Sequence, residues 1–329
     1  SLQIKSKEIQ EIIMNAEFPS NIKNDVLEAY DNLNVNQDLV KLHKSALNLI
    51  KAGRDLPYVA VRSSANAEDL PQFSFAGQQA TYLNVKGNSS MINAVKKCWA
   101  SLFTTRAIYY REKNKFEHDK VLIAVVVQRM ISSEKACVLF TINPSTNNQD
   151  EIMIEAGYGL GELVVSGSIN PNNYIIDKET LEIKNKKITK QAYLLTRNEY
   201  GNTVKKNIPE EKREIQILND DEIIALAKYG KQIEEHYEKP MDVEFAIESG
   251  KIYIVQARPV TTIKKPSLEE LQPIKDAQIL LTGLAASSGF VSGKVKIVFN
   301  LNELSKIEHG DILVTRMTNP DMVPALEKA

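Results

Sequence analysis

Four polar residues late in the chain have the types and spacing that could hold a metal ion and a phosphate. They lie in Met241-Asp242-Val243-Glu244-Phe245 and in Ile252-Tyr253-Ile254-Val255-Gln256-Ala257-Arg258. Side chains alternate along a strand, so Asp242 and Glu244 share one face, and so do Gln256 and Arg258. A hairpin loop of about three residues around Gly250 fits the usual loop lengths. It would set Glu244 opposite Gln256 and Asp242 opposite Arg258, whereas a two-residue turn would put the polar sets on opposite faces. Mg²⁺ takes hard oxygen ligands, typically carboxylates completed by phosphate oxygens and water. Glu244 and the amide oxygen of Gln256 are such donors, and Arg258 offers a planar fork for phosphate. On spacing alone, the pattern reads equally well as an exposed polar face with a cross-strand Asp242–Arg258 pair.

A second constellation runs from Val61-Arg62-Ser63-Ser64 through Asp69-Leu70-Pro71 to Phe75-Ala76-Gly77-Gln78-Gln79. An arginine leaving a buried strand into a loop of small residues is placed for an anion, and the loop amides can cradle phosphate. Without further information, a plain surface loop turning at Asp69-Leu70-Pro71 explains it better. A third stretch, Gly157-Tyr158-Gly159-Leu160-Gly161-Glu162, lacks the dinucleotide fingerprint, and the sequence contains no Walker A segment. Its glycines are accounted for by a turn of the chain.

The elements that must position these residues follow from periodicity. Residues 6–52 read as helices broken at Phe18-Pro19-Ser20, and Val59 to Arg62 as a short buried strand. Met91, Ile92, Val95, Cys98, Trp99, Leu102 and Phe103 recur at helical spacing and predict one amphipathic helix over 89–112, with Trp99 in the core. The apolar, β-branched run Val121 to Arg129 predicts a central strand, with Val138 to Ile142 and Glu151 to Ala156 continuing the same sheet. Residues 174–217 read as meandering strands, and Asp220-Asp221-Glu222 as the start of a helix reaching Tyr237. Composition shifts at Thr261 to Gln278, which places a domain boundary near 270–279 ahead of strands at Leu280 to Ala285 and Val291 to Phe299.

Bulk properties narrow the function. The 41 basic and 42 acidic residues leave a net charge of −1, with no basic excess to attract nucleic acid. The one dense basic cluster, Lys184 to Lys190, reads as a solvated strand or turn. Cys98 and Cys137 lack metal-site spacing and read as buried free thiols. No apolar run is long enough to span a bilayer, and the first residues lack a signal-peptide core, so a cytoplasmic protein without a membrane partner is expected. At 329 residues, two domains are the starting expectation.

Taken in order, several segments resemble the phosphoenolpyruvate synthase family. They are Arg62-Ser63-Ser64-Ala65 through Pro71, Phe75 to Gln79, Cys98 to Phe103, Gln128-Arg129-Met130, Gly159-Leu160-Gly161-Glu162, and Met241 to Glu244 with Gln256 to Pro259. The resemblance implies an α+β fold: an ATP-grasp domain over residues 1–270, a linker at 271–279, and at 280–329 the start of a swivelling phosphohistidine domain, truncated before its histidine. It implies ATP and Mg²⁺ as cofactors, with Arg62 and Arg258 on phosphates, Glu244 and Gln256 on the metal and Asp242 nearby. Gly77 and Thr81 would fall in the phosphate loop, and Gln128, Arg129 and Met130 would line the adenine site through backbone groups. Pyruvate is the implied acceptor, the C-terminal phosphohistidine and barrel domains are the implied partners, and a homodimer through the C-terminal region is compatible with the family.

The sequence also departs from the family pattern. The family's lysine-bearing N-terminal segment and its catalytic histidine motif are missing, and His43, His118, His236 and His309 match no such context. Asn66, Ala80, Ala136-Cys137 and Asn172 each differ from the usual residue. Two rivals are a rifampicin-type antibiotic phosphotransferase, which fits Cys98 to Phe103 and Gln128 to Met130 nearly as well, and a non-catalytic nucleotide-binding module. The joint presence of Glu244, Gln256 and Arg258 argues against the second.

Overall fold

The computed structural model describes residues 2–33, 55–66, 80–260, 291–315, 318, 322–326 and 328–329. The expected linker at 271–279, the strand at Leu280 to Ala285, Gly77 and His43 lie outside them. The chain forms two compact units: Ser1–Met130 with Arg197–Val204, and Ile131–Thr196 with Lys205–Ala329. Among the described residues, no helix is long and apolar enough to cross a membrane.

The first unit carries helices α1 (Leu2–Asn15) and α2 (Ser20–Asn32), strands β1 (Val59–Ala65) and β2 (Thr81–Val85), helices α3 (Asn88–Ser101) and α4 (Thr105–Lys113), and β3 (Ile123–Arg129). The sheet is antiparallel in the order β2-β1-β3. Val59 and Val61 of β1 pack with Met91, Val95 and Cys98 of α3, against Val125 and Val127 of β3. Phe18 stacks on Trp99 at 4.9 Å, which places Trp99 with the core, as its periodicity predicts.

Three expectations fail here. The helix over 89–112 is two helices: the chain turns at Leu102-Phe103, and Thr104 caps the second by accepting from the Ala107 amide at 3.3 Å. The buried Arg111 guanidinium ties that turn down by donating to the Leu102 carbonyl at 2.6 Å. Second, among the described residues β3 lies at the edge of its sheet and β1 at the centre. A continuous apolar run does not reveal that Val125 and Val127 pack with the α3 core while Val126 between them stays exposed. Third, the strands at 135–140 and 151–158 do not continue this sheet. They belong to the second unit.

That unit is built on a six-stranded antiparallel sheet, in the order β11 (Lys251–Pro259), β10 (Met241–Glu248), β4 (Lys135–Phe140), β5 (Glu151–Tyr158), β6 (Asn172–Asp177), β7 (Ile183–Lys187). Helix α6 (Asp220–Tyr237) contributes Ile223, Leu226 and Ala227 to the core on one face, against Val243, Phe245, Leu139, Ile154 and Tyr174. Asn219 caps α6, and its reciprocal bonds with Glu222 complete a capping box, one residue earlier than the acidic run suggests. The short helix α5 (Glu162–Val165) packs Leu163 and Val164 with Val138 on the opposite face. A hairpin of β8 (Tyr193–Arg197) and β9 (Thr203–Asn207) interrupts the unit. Lys184, Lys186 and Lys190 pair with Asp177, Asp220 and Glu214, so the basic cluster is a solvated edge. The strand expected over Val291 to Phe299 shortens to β12 (Val295–Ile297), which pairs in parallel with β13 (Ile312–Val314).

Candidate functional site

The hairpin of β10 and β11 is assembled by an unexpected route. Its loop is a two-residue turn, Ser249-Gly250, closed by the pair Glu248↔Lys251. Both turn residues have positive φ, 49° and 74°, the geometry that matches strand twist in tight hairpins. That turn alone would set Glu244 against Val255 and put the carboxylates and their partners on opposite faces. A β-bulge intervenes: Phe245 pairs with Ile254 and Glu244 with Gln256, which leaves Val255 as the extra residue. The bulge restores the parity, so Glu244 opposes Gln256 and Asp242 opposes Arg258. The expected pairing is therefore present, but the expected three-residue loop is not.

Directly opposed residues project to the same face. The four polar side chains thus share the face opposite Met241, Val243, Phe245 and Ile247, which are buried under α6. Arg258 Nε and Nη2 both reach Asp242 Oδ2 at 2.9 Å. Asp242 is nearly buried, while the Arg258 side chain is about one-third exposed. The carboxylate fixes the plane of the guanidinium.

The same face continues across the sheet through an in-register row, Gln256–Glu244–Val138–Glu155–Asn173. Sequence reasoning missed Glu155, which it took only as part of a strand. Burial raises its pKa above the usual carboxylate value. A hydrogen bond with Asn173 works the other way, and the negative charge of Asp242 adds to the rise. The signal lay in Glu151 to Ala156: Glu155 falls an even step from Glu151, inside the apolar run Ile152-Met153-Ile154 and Ala156.

The first unit gathers a second set. Arg62 and Thr81 are directly opposed between β1 and β2. Gln128 of β3 lies two residues beyond Val126, the partner of Arg62, and so on the same face. Arg62 Nη1 donates to Gln128 Oε1 at 3.2 Å. Arg62, Thr81 and Gln128 therefore come together on the face away from the α3 core. Arg129, one residue on, has the opposite parity. The Met130 amide is engaged by the Tyr58 carbonyl at 2.9 Å, so a base read along this segment would use other backbone groups.

The departures have packing roles. Asn66 donates to the Lys120 carbonyl and accepts from the Leu122 amide, closing the end of β1 on β3. The Asn172 amide oxygen accepts from Tyr174 and from the Ile217 amide. The Ala80 amide donates to Ser101 Oγ at 3.3 Å. Cys137 and Ala136 lie in the interior of β4, where burial pushes the Cys137 thiol pKa up. Gly159 is held at φ 85°, and a Cβ there would lie 2.4 Å from the Leu195 carbonyl, so this glycine serves a tight turn.

Among the described residues, no three histidine, cysteine or acidic side chains are grouped to hold a metal on their own. The donors present, one carboxylate and one amide oxygen on adjacent strands, suit a Mg²⁺ ion whose shell is completed by phosphate and water.

Residues 1–278 match the family model described as pyruvate phosphate dikinase, AMP/ATP-binding domain. The chain belongs to this family. Its relatives include a probable phosphoenolpyruvate synthase of Methanocaldococcus jannaschii, 49% identical over 98% of this chain and 26% of the relative. Another is a phosphoenolpyruvate synthase of Pyrococcus furiosus, 47% identical over all of this chain and 39% of the relative. A third, from Helicobacter pylori and also a phosphoenolpyruvate synthase, is 40% identical over all of this chain and 42% of the relative. The chain thus spans less than half the length of these relatives, and the family resemblance read from the motifs is confirmed.

Proposed function

We propose that the chain is the ATP-binding part of a phosphoenolpyruvate synthase, with an ATP-grasp fold over residues 1–270 and the first part of a swivelling phosphohistidine domain over 280–329. The observation that carries this is the bulge-corrected register. In a chain matching an AMP/ATP-binding domain, it sets Glu244–Gln256 and Asp242–Arg258 as neighbouring pairs on one face.

In this reading Arg258, oriented by Asp242, and Arg62, oriented by Gln128, neutralise phosphate oxygens. Thr81 and Gly77 contribute to the phosphate loop, and Gln128 to Met130 border the base. Glu244 and Gln256 hold Mg²⁺, which when bound supplies charge neutralisation and orients the phosphates. The overall change is pyruvate, ATP and water to phosphoenolpyruvate, AMP and phosphate. The β-phosphoryl passes first to a histidine in the part of the protein beyond this chain, and the γ-phosphate is released. The covalent relay divides one difficult transfer into two easier ones.

Calorimetry of the 329-residue chain with ATP and Mg²⁺ tests the site. Weak binding that needs the metal is expected, with a loss of tenfold or more in Glu244→Ala at unchanged circular dichroism. Binding that survives excess chelator, or an unaffected variant, would overturn the assignment of Glu244 to the metal.

A further inference from the structure

The tip of the β8–β9 hairpin, Arg197–Val204, belongs to the first unit. Its own hydrogen bonds close it into a loop. The Gly201 amide donates to the Asn198 carbonyl at 3.0 Å, and the Asn198 amide to the Asn202 carbonyl at 2.9 Å. The Asn202 amide donates in turn to Asn198 Oδ1 at 2.9 Å. This loop closes on the ring of Tyr58. The Arg197 guanidinium lies 4.1 Å from the ring centroid, within the range of a cation–π contact. Lys86 Nζ, 4.8 Å from the same centroid, supplies a second cation. Gly201 is buried at φ 85°, and a Cβ there would come 2.6 Å from Tyr58 Oη, so the glycine is what lets the loop approach the ring.

Asn84 fastens this contact from β2. Val59 and Val61 of β1 are partnered by Val85 and Tyr82, so Leu83 and Asn84 together oppose Ala60, the arrangement of a bulge. Asn84 sits there at φ 55°. Its Nδ2 donates to Thr203 Oγ1 at 2.7 Å, and its Oδ1 accepts from Arg197 Nη1 at 3.5 Å. Tyr58 in turn carries the segment read as the border of the base. Val59 pairs with Arg129 and Ala60 with Gln128. One step further along that register, the Met130 amide donates to the Tyr58 carbonyl at 2.9 Å. Counted along the strand, Tyr58 shares the parity of Ala60 and Arg62, the face on which Arg62, Thr81 and Gln128 gather.

We propose that Arg197 is a positioning residue for the base end of the nucleotide site: it holds the Tyr58 ring, and Tyr58 holds the Met130 backbone in the segment that borders the base. The inference rests on the reading of Gln128 to Met130 as that border. It calls for a selective effect. Loosening the hairpin tip should weaken recognition of the base and leave the phosphate end, built on Arg62 and Arg258, as it was. Inorganic tripolyphosphate carries the charge of the nucleotide's phosphates and no base, so it separates the two ends.

The test is calorimetry of the 329-residue chain with Mg²⁺ and either ATP or inorganic tripolyphosphate. Arg197→Ala is expected to bind ATP about fivefold more weakly than the parent, the scale of one cation–π contact, and tripolyphosphate within about twofold of it. Asn84→Ala releases Arg197 without removing it, and is expected to show the same selective loss at about threefold. Unchanged ATP affinity in both variants would overturn the proposal. So would equal weakening toward the two ligands, since the hairpin would then serve the fold as a whole. A parent that binds ATP no more tightly than tripolyphosphate would overturn the reading of Gln128 to Met130 itself, and the role of Arg197 with it.

Discussion

Asp242 and Arg258 lock each other through a single carboxylate oxygen contacted by two guanidinium nitrogens. A lysine keeps the charge but not the planar fork. Arg258→Lys is therefore expected to lower ATP affinity about tenfold, or ~1.4 kcal/mol, with little change in thermal stability; calorimetry and a melting curve report both. Glu155 gives a pH test. Burial raises its pKa in the folded protein above the ordinary 4.5. The folded state thus holds this proton more tightly than the unfolded chain does. Ionisation costs no stability below the ordinary value, and the full cost applies once pH exceeds the raised value. Glu155→Gln keeps a partner for Asn173 and removes the charge. It is expected to unfold at higher temperature than the parent at pH 7, with the difference vanishing as pH falls below 4.5. A constant difference across that range would show that the gain has another cause.

At the scale of elements, the hairpin depends on two irregularities that cancel, a tight turn and a bulge at Val255. Deleting Val255 removes the bulge yet leaves Glu244 opposite Gln256 and Asp242 opposite Arg258, so folding and the ion pair should survive. Deleting Ala257 instead sets Arg258 against Val243, in the apolar layer under α6. An unpaired charge there costs roughly 3–5 kcal/mol, and urea titrations of the two deletions should differ by about that amount. Packing of α6 on β4 offers a second test. Glycine to alanine usually stabilises a helix, but a Cβ at Gly230 would come within 2.6 Å of Leu139 Cδ2. Gly230→Ala is expected to destabilise by about 1–3 kcal/mol in the same titration. The sequence shows the alternation of this hairpin and the amphipathic α6 plainly. It does not show the bulge, because an extra residue has no composition of its own and is recognised only from its cross-strand partners.

At the scale of the molecule, the proposed reaction needs groups that this chain does not show. The 329-residue chain is expected to form no AMP in response to pyruvate, and pyruvate-dependent AMP formation by the purified chain would refute the relay reading. Order and spacing of motifs identified the family from sequence. Local pattern likewise sufficed for the face shared by Asp242 and Glu244, because a period of two is a property of the strand itself. Tertiary structure alone decided the rest. Among the described residues, it put Ile123–Arg129 at the edge of a separate three-stranded sheet, divided 89–112 at Thr104, and added Glu155 to the polar face. Each of these depends on contacts between residues distant in sequence. An apolar strand reads the same at a sheet's edge as at its centre, and an acid in a strand gains its meaning from the strands that come to lie beside it.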